Sequence, residues 1–305
     1  KQAMKPRRDK ILRALFIPDS QHGFRWNAPD FDRLEPFHDR VAFDSVCEFA
    51  SAFQPDTIVL LGDMLDLAPF SSYPTDPATR QTTQPALAEL HWQLKQLRKK
   101  CPRSKIVFLG GNHELRLQKS TKSNLEEASY LRNADEKRGQ DTVFSVQRLL
   151  ALDALDIDYV ADYDDDWWLW NRIRVFHGRT VRAGGGSTVA ARIKSATHSE
   201  VFGHIHRVEL AQKTLHGPKG QKVITSMTPG CLCLTDGSIP GASKIQDWQQ
   251  GVGIAYVDLE HDTEHLSLVS IHGGTLVHDG RVYMGQDRAQ EIAEETGFLQ
   301  IKERP

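Results

Sequence analysis

No run of about 18 apolar residues occurs in the 305-residue chain, which excludes an ordinary membrane-spanning helix. Net charge is almost absent as well. Lys and Arg number 38 against 40 Asp and Glu, a formal balance of −2, so no global field recruits nucleic acid or an acidic membrane. Cysteine is scarce: Cys47, Cys101, Cys231 and Cys233 are too few for a disulfide scaffold. None belongs to a Cys-x-x-Cys pair, which argues against a structural zinc loop. They read as reduced thiols, as expected of a cytoplasmic protein. The basic stretch "KQAMKPRRDK" is followed by no signal-like apolar core, since "ILRALFI" is interrupted by Arg13. It reads as a leader ahead of the folded part. Internal repeats and low-complexity linkers are also missing. That favours one domain over residues 11–285, followed by a polar tail at 286–305.

What the chain does contain is a set of short apolar runs with polar ends. "ILRALFIPD" (11–19), "DTIVLLGD" (56–63) and "SKIVFLGGNHE" (104–114) read as buried parallel strands closed by turns. Helical spacing of apolar residues separates them, over 36–53 and again over 84–100. Such alternation implies βαβ units and a mostly parallel sheet. Ligands gather at the carboxyl ends of strands in sheets of this kind. Asp19, Asp63, Asn112 and His113 all fall there. Residues 115–141 are strongly polar and read as an exposed helical insertion near that edge, and 143–155 as a further helix. "WWLWNRIRVFHG" (167–178) reads as a hairpin ending at His177, and "SEVFGHIHRVEL" as a strand-turn-strand unit. From about residue 221 onward the pattern is β-rich.

Stretches with chemical character line up along this frame: "PDSQHG", "LLGDMLDL", "GGNHE", "VFHG" and "FGHIHR". Hard divalent ions take carboxylate and carbonyl oxygens, and imidazole suits manganese, iron, zinc and similar ions. A mixed Asp, Asn and His set therefore suits a pair of such ions, which together can clamp a phosphate. In that order the stretches resemble the calcineurin-like metallophosphoesterase superfamily, over residues 11 to about 210, and a later segment resembles its phage- and prophage-type members. The resemblance implies an α/β fold, a two-layered β-sandwich flanked by helices. It implies two divalent ions, foremost Mn2+, with Fe, Zn, Ni or Mg as other choices. Asp19, position 21, Asp63 and His206 would hold the first, and Asp63, Asn112, His177 and His204 the second. His113 would assist the leaving group and Asp66 would orient it. The implied reaction is hydrolysis of a phosphomonoester or phosphodiester by a metal-bridging hydroxide. The substrate class is then a small molecule or nucleic acid, with a nuclease or a metal-lean binding module as the alternatives.

Position 21 departs from the family, which has a His where this chain has Gln21, and His22 follows one residue late. Alternation along a strand end points Asp19 and Gln21 together and His22 away. Gln21 is thus the expected first-metal ligand through its carbonyl oxygen. The other reading is a bulge that swings His22 inward, or a His22 that reaches a substrate phosphate from the rim. Arg116, just after "GGNHE", is a candidate substrate contact, and so is Trp248 in the long loop 228–251, by stacking on a base or by plugging the loop. "RAGGGS" (182–187) is weighed as a phosphate cradle against a flexible loop, with Ser187 as helix cap. The basic stretch 96–105 reads as the cationic end of a helix.

Overall fold

The computed structural model describes residues 11–298 except 75, 138, 219 and 241–245. The basic leader, part of the 228–251 loop and the last residues of the tail lie outside the described residues. Strand β1 (Ile11–Ile17) leads to a small antiparallel ribbon of β2 (Phe24–Trp26) and β3 (Leu34–Pro36). Helix α1 (Arg40–Phe53), strand β4 (Thr57–Leu60), helix α2 (Thr83–Lys100) and strand β5 (Lys105–Leu109) complete the alternating part. Helix α3 (Glu114–Asn124) and the single turn α4 (Val146–Leu149) precede β6 (Ile157–Val160). Next come β7 (Trp167–Leu169), β8 (Ile173–Phe176), the short α5 (Ser187–Arg192) and β9 (Glu200–Phe202). The long strands β10 (Val208–Gly217), β11 (Gly220–Pro229), β12 (Gln250–Asp258) and β13 (Thr263–His272) follow. Strands β14 (Thr275–His278) and β15 (Arg281–Met284) and helix α6 (Ala289–Thr296) close the described chain.

Two sheets result. The larger has eight strands in the order β15-β14-β13-β12-β1-β4-β5-β6, and the smaller has five in the order β10-β11-β9-β8-β7. Strands β1, β4, β5 and β6 run parallel, and β12 pairs antiparallel with β1. The apolar runs are continuous because both faces of these strands are covered. Leu15, Ile17, Ile58, Leu60, Ile106 and Phe108 face α1 and α2. The alternate residues Ala14, Phe16, Val59, Leu61, Val107 and Leu109 pack between the sheets against Val175, Val201 and Met227. Burial of each of the larger side chains contributes about 1.5–3 kcal/mol. Helix α5 covers the outer face of the smaller sheet through Val189 on Phe176 and Phe202. The molecule is therefore a helix, sheet, sheet, helix sandwich, the α/β architecture expected.

Several local expectations change. Helix α1 begins at Arg40 rather than near residue 36, because Asp39 caps it by accepting from the Val41 and Ala42 amides at 3.0 Å. Region 143–155 is not one helix. Ala151 adopts φ 48°, which splits it into α4 and a 3-10 turn, Leu152–Leu155. Among the described residues the polar insertion is helical only through α3 and a 3-10 turn, Glu126–Tyr130, and α3 starts at the candidate site itself. Gly186, not Ser187, caps α5.

Candidate metal centre

Strands β1, β4 and β5 end at one edge, and the turns that follow carry Asp19, Asp63 and Asn112-His113. These turns are locked to one another. The Gln21 amide donates to the Asp63 carbonyl at 3.0 Å, and the His113 amide donates to Asp63 Oδ1 at 2.8 Å. Gln21, Asp63, His204 and His206 all lie in the left-handed region, at φ 52°, 49°, 72° and 56°. Non-glycine residues there cost about 1–3 kcal/mol each and persist only where the surroundings over-determine them. Glycine makes room for two of the carboxylates. A Cβ at Gly111 would lie 2.1 Å from Asp63 Oδ1, and one at Gly203 would lie 2.6 Å from Asp19 Oδ2.

The histidines come from the opposite sheet. His177 directly follows β8, and its Nδ1 lies 2.8 Å from the Leu61 carbonyl. A carbonyl only accepts, so Nδ1 carries the proton. Nε2 then faces Asn112 Oδ1 at 3.1 Å, Asp63 Oδ2 at 3.2 Å and Asp19 Oδ1 at 3.9 Å. Three oxygens around one imidazole nitrogen call for a cation between them. The electrostatics agree: burial opposes a charge on His177, yet Asp63 and Asp19 more than offset it and raise the ring to about 10. His204 joins Asp63 and His177 with all ligand atoms within 4.8 Å of one another, and burial together with His177 pulls it down to about 4. The His204 amide donates to both Asp19 oxygens, at 2.9 and 3.1 Å. His206 Nε2 lies 3.4 Å from Asp19 Oδ1.

Gln21 supplies a further test of fit. Its side chain is 1 % exposed, its Nε2 lies 3.5 Å from Asp63 Oδ2, and its Oε1 has no hydrogen-bond partner. An orphaned buried carbonyl oxygen costs about 1–3 kcal/mol. Beside two buried carboxylates it is a ready ligand for a hard cation.

At the mouth of the turn, His113 Nδ1 lies 2.8 Å from the Asp66 carbonyl and 3.3 Å from Asp66 Oδ1. The backbone carbonyl of Asp66 thus takes the hydrogen bond that fixes the ring, and its carboxylate stands at ion-pair distance. His113 Nε2 lies 3.6 Å from Asp63 Oδ2. Burial opposes protonation of His113, but Asp63 and Asp66 outweigh it and raise its pKa. Arg116 donates to the Asp66 carbonyl at 2.8 Å, and its other nitrogen sits 3.0 Å from His113 Nε2. The structure therefore brings Arg116 to the rim of the site.

His22 it does not bring there. His22 turns away from the site, as alternation expects, and its ring is fully buried. It stacks on His38 with centroids 4.0 Å apart, and its Nε2 meets Gln93 Oε1 at 3.0 Å. A rim contact from His22 is thus excluded by its packing. Trp248 neither protrudes nor stands apart: it packs on Phe37, Cys231, Cys233 and Ile239 and meets the His206 ring at 4.2 Å. Arg98, in the basic stretch, is spent on the Leu155, Ser104 and Asp156 carbonyls.

Two features went unread in the sequence. Glu114, last of "GGNHE", is 3 % exposed and accepts from the Asp63 amide at 2.9 Å, Leu65 at 2.9 Å and Gly111 at 2.8 Å. Burial and Asp63 push its carboxyl up to about 7. Its place at the start of a helix beside a glycine turn was the available signal. Cys231 and Cys233 lie against His206, a pairing that only the fold creates.

No family model matches the chain. The Gene 54 protein of Mycobacterium phage L5 is 26 % identical over 269 residues, covering 83 % of this chain and 96 % of that protein. Among solved structures, a 5'-nucleotidase precursor from Thermus thermophilus aligns over 94 % of this chain at 11 % identity and a TM-score of 0.40. This chain spans only 58 % of the nucleotidase's length. A conserved Streptococcus pneumoniae protein, described as a predicted phosphoesterase, aligns over 90 % of this chain and 98 % of its own, at 11 % identity and a TM-score of 0.29.

Proposed function

We propose that this protein is a metal-dependent phosphoesterase acting on a phosphomonoester or phosphodiester. The observation that carries this reading is the convergence of Asp19, Asp63, Asn112, His177 and His204 around one point, with the unpartnered Gln21 oxygen beside them. Asp19, Gln21, Asp63 and His206 are the candidates for a first divalent ion. Asp63, Asn112, His177 and His204 are those for a second, and Mn2+ is the first choice for an oxygen and imidazole set. Such a pair, when bound, lowers the pKa of water and neutralises charge on a phosphoryl group.

The chain's own residues do the rest. The Leu61 carbonyl holds the proton on His177 Nδ1, so that Nε2 is the nitrogen that would serve a bound ion. Glu114 holds the Asp63 and Gly111 amides and thereby the spacing of two turns. His113 stands at the mouth with Nδ1 held by Asp66, and its Nε2 is the group positioned to give a proton to a leaving oxygen. Arg116 lies across that nitrogen and must swing aside or engage the substrate's own oxygens for His113 to act. The direct assay is hydrolysis of a generic phosphomonoester and a generic phosphodiester with Mn2+ added after chelation. Manganese-dependent turnover that is abolished by Asp63→Asn supports the reading. No turnover of either class across Mn2+, Zn2+, Ni2+ and Mg2+ overturns it in favour of a binding module.

A further inference from the structure

Next to the candidate centre lies a cluster of different chemistry. The segment after β11 runs Cys231-Leu232-Cys233 and is tied to the Asp19 turn: the Leu232 amide donates to the Asp19 carbonyl at 2.8 Å. Residues two apart on extended backbone face the same way. Leu232 accordingly points into the helix-side core, while both thiols point to the opposite side, towards Phe37, Ile239 and Trp248. There they meet His206. Cys233 Sγ lies 3.8 Å from His206 Nδ1, and the donor atoms of Cys231, Cys233 and His206 lie within 4.8 Å of one another. Cys231 and Cys233 are 0 % exposed and His206 is 6 % exposed.

We propose that Cys231, Cys233 and His206 form a separate binding site for a thiophilic divalent ion of the zinc or cadmium class. The donor set is the soft one such ions select, distinct from the oxygen-rich set around Asp63. A tetrahedral ion about 2.3 Å from sulfur and 2.0 Å from nitrogen holds its ligands about 3.5–3.8 Å apart. The Cys233 to His206 spacing of 3.8 Å is within a few tenths of an ångström of the sulfur–nitrogen separation, about 3.5 Å, that such an ion sets. Two thiolates and a neutral imidazole balance the charge of a divalent ion, and three ligands leave a fourth position open. The outer partners also suit a metal. With Nδ1 on the ion, His206 Nε2–H faces Asp19 Oδ1, 3.4 Å away, the carboxylate that fixes a ligating imidazole. Trp248 lies against the ring at 4.2 Å and shields the thiols from water. One consequence rests on the phosphoesterase reading: the two sites compete for His206, and a His206 that gives Nδ1 to this ion and a proton to Asp19 leaves Asp19, Gln21 and Asp63 as the candidates for the first ion of the hydrolytic pair.

The test does not depend on hydrolysis. Chelated, fully reduced protein, kept in a thiol-free reductant, is titrated with Cd2+ while thiolate-to-metal charge-transfer absorption is followed. Wild type is expected to develop the band to an endpoint of about one ion per chain, and Cys231→Ser/Cys233→Ser to lose it. Cys47 and Cys101 are buried in the helix-side core and serve as an internal control. A band absent from wild type, or retained by the double variant, overturns the proposal. Should the double variant fail to fold, X-ray absorption on Zn2+-loaded wild type decides. Sulfur neighbours at about 2.3 Å support the site, and a shell of nitrogen and oxygen alone refutes it.

Discussion

Glu114→Gln is the most informative single change to the scaffold of the site. Two amides, Asp63 and Gly111, donate to Oε2, and Leu65 donates to Oε1. An isosteric amide has only one acceptor oxygen. Its better orientation keeps the paired donors and turns an NH2 group onto the Leu65 amide. One hydrogen bond to a charged group is then lost and one buried N–H is left without a partner. The first is worth about 1.5–3 kcal/mol and the second about 1–3 kcal/mol. Part of that sum is offset, because the neutral side chain relieves the repulsion from Asp63 that raises the Glu114 carboxyl to about 7. The net expectation is a loss of about 2–3 kcal/mol, or roughly 3–5 °C in midpoint for a chain of this size. Thermal and urea unfolding of chelated protein measure it, and hydrogen exchange at the Leu65 amide locates it. A midpoint within about 1 °C of wild type, with Leu65 still protected, would refute the bracing role assigned to Glu114.

Other expectations follow from the same geometry. Gln21→His should tighten the first divalent ion by about tenfold, since imidazole replaces a neutral carbonyl oxygen as ligand; titration calorimetry checks this, and an unchanged affinity contradicts Gln21 as a ligand. His113→Ala should reduce turnover by about 10²–10⁴-fold while metal content stays at the wild-type level, because the ring assists the leaving group and binds no ion; loss of metal in this variant would sink the assignment. Glu89 is fully buried, with Oε1 2.6 Å from His38 Nε2 and 2.7 Å from Arg40. Burial opposes its ionisation, but His38 and Arg40 prevail and hold it well below the usual carboxylate range. A depressed carboxyl contributes stability that is present above its ordinary pKa, about 4.3, and is lost as the pH falls below it. Denaturant titrations should therefore show an acid limb below about pH 4.5 that is shallower in Glu89→Gln. Equal slopes in the two proteins would place the acid sensitivity elsewhere.

The parallel part of the larger sheet was legible in the sequence because its strands are buried on both faces. Continuous runs such as Ile58 to Leu61 have no other comfortable environment, and each run ends in a residue with ligand chemistry. That strand ends share one edge follows from parallel topology, so the meeting of Asp19, Asp63 and Asn112 could be anticipated. Alternation likewise anticipated Gln21 beside the carboxylates and His22 directed away from them, onto Gln93 and His38; the left-handed backbone at Gln21, φ 52°, was not legible. Region 143–155 has helical spacing throughout, but spacing does not reveal a left-handed Ala151. Cys231 and Cys233 stand 25 or more residues beyond His206, and they meet it only because β10 and β11 fold back as a hairpin. Pairings across such distances carry no local signature.

A bridging role for Asp63 is the claim on which the reading of the site most depends, and electron paramagnetic resonance of chelated protein reloaded with Mn2+ tests it most directly. Two ions sharing one carboxylate lie about 3.5–4 Å apart and couple magnetically. Two Mn2+ per chain with an exchange-coupled spectrum that vanishes in Asp63→Asn is the predicted result. A spectrum of isolated Mn2+ at every loading, or saturation at one ion with Asp63→Asn unaffected, would contradict it.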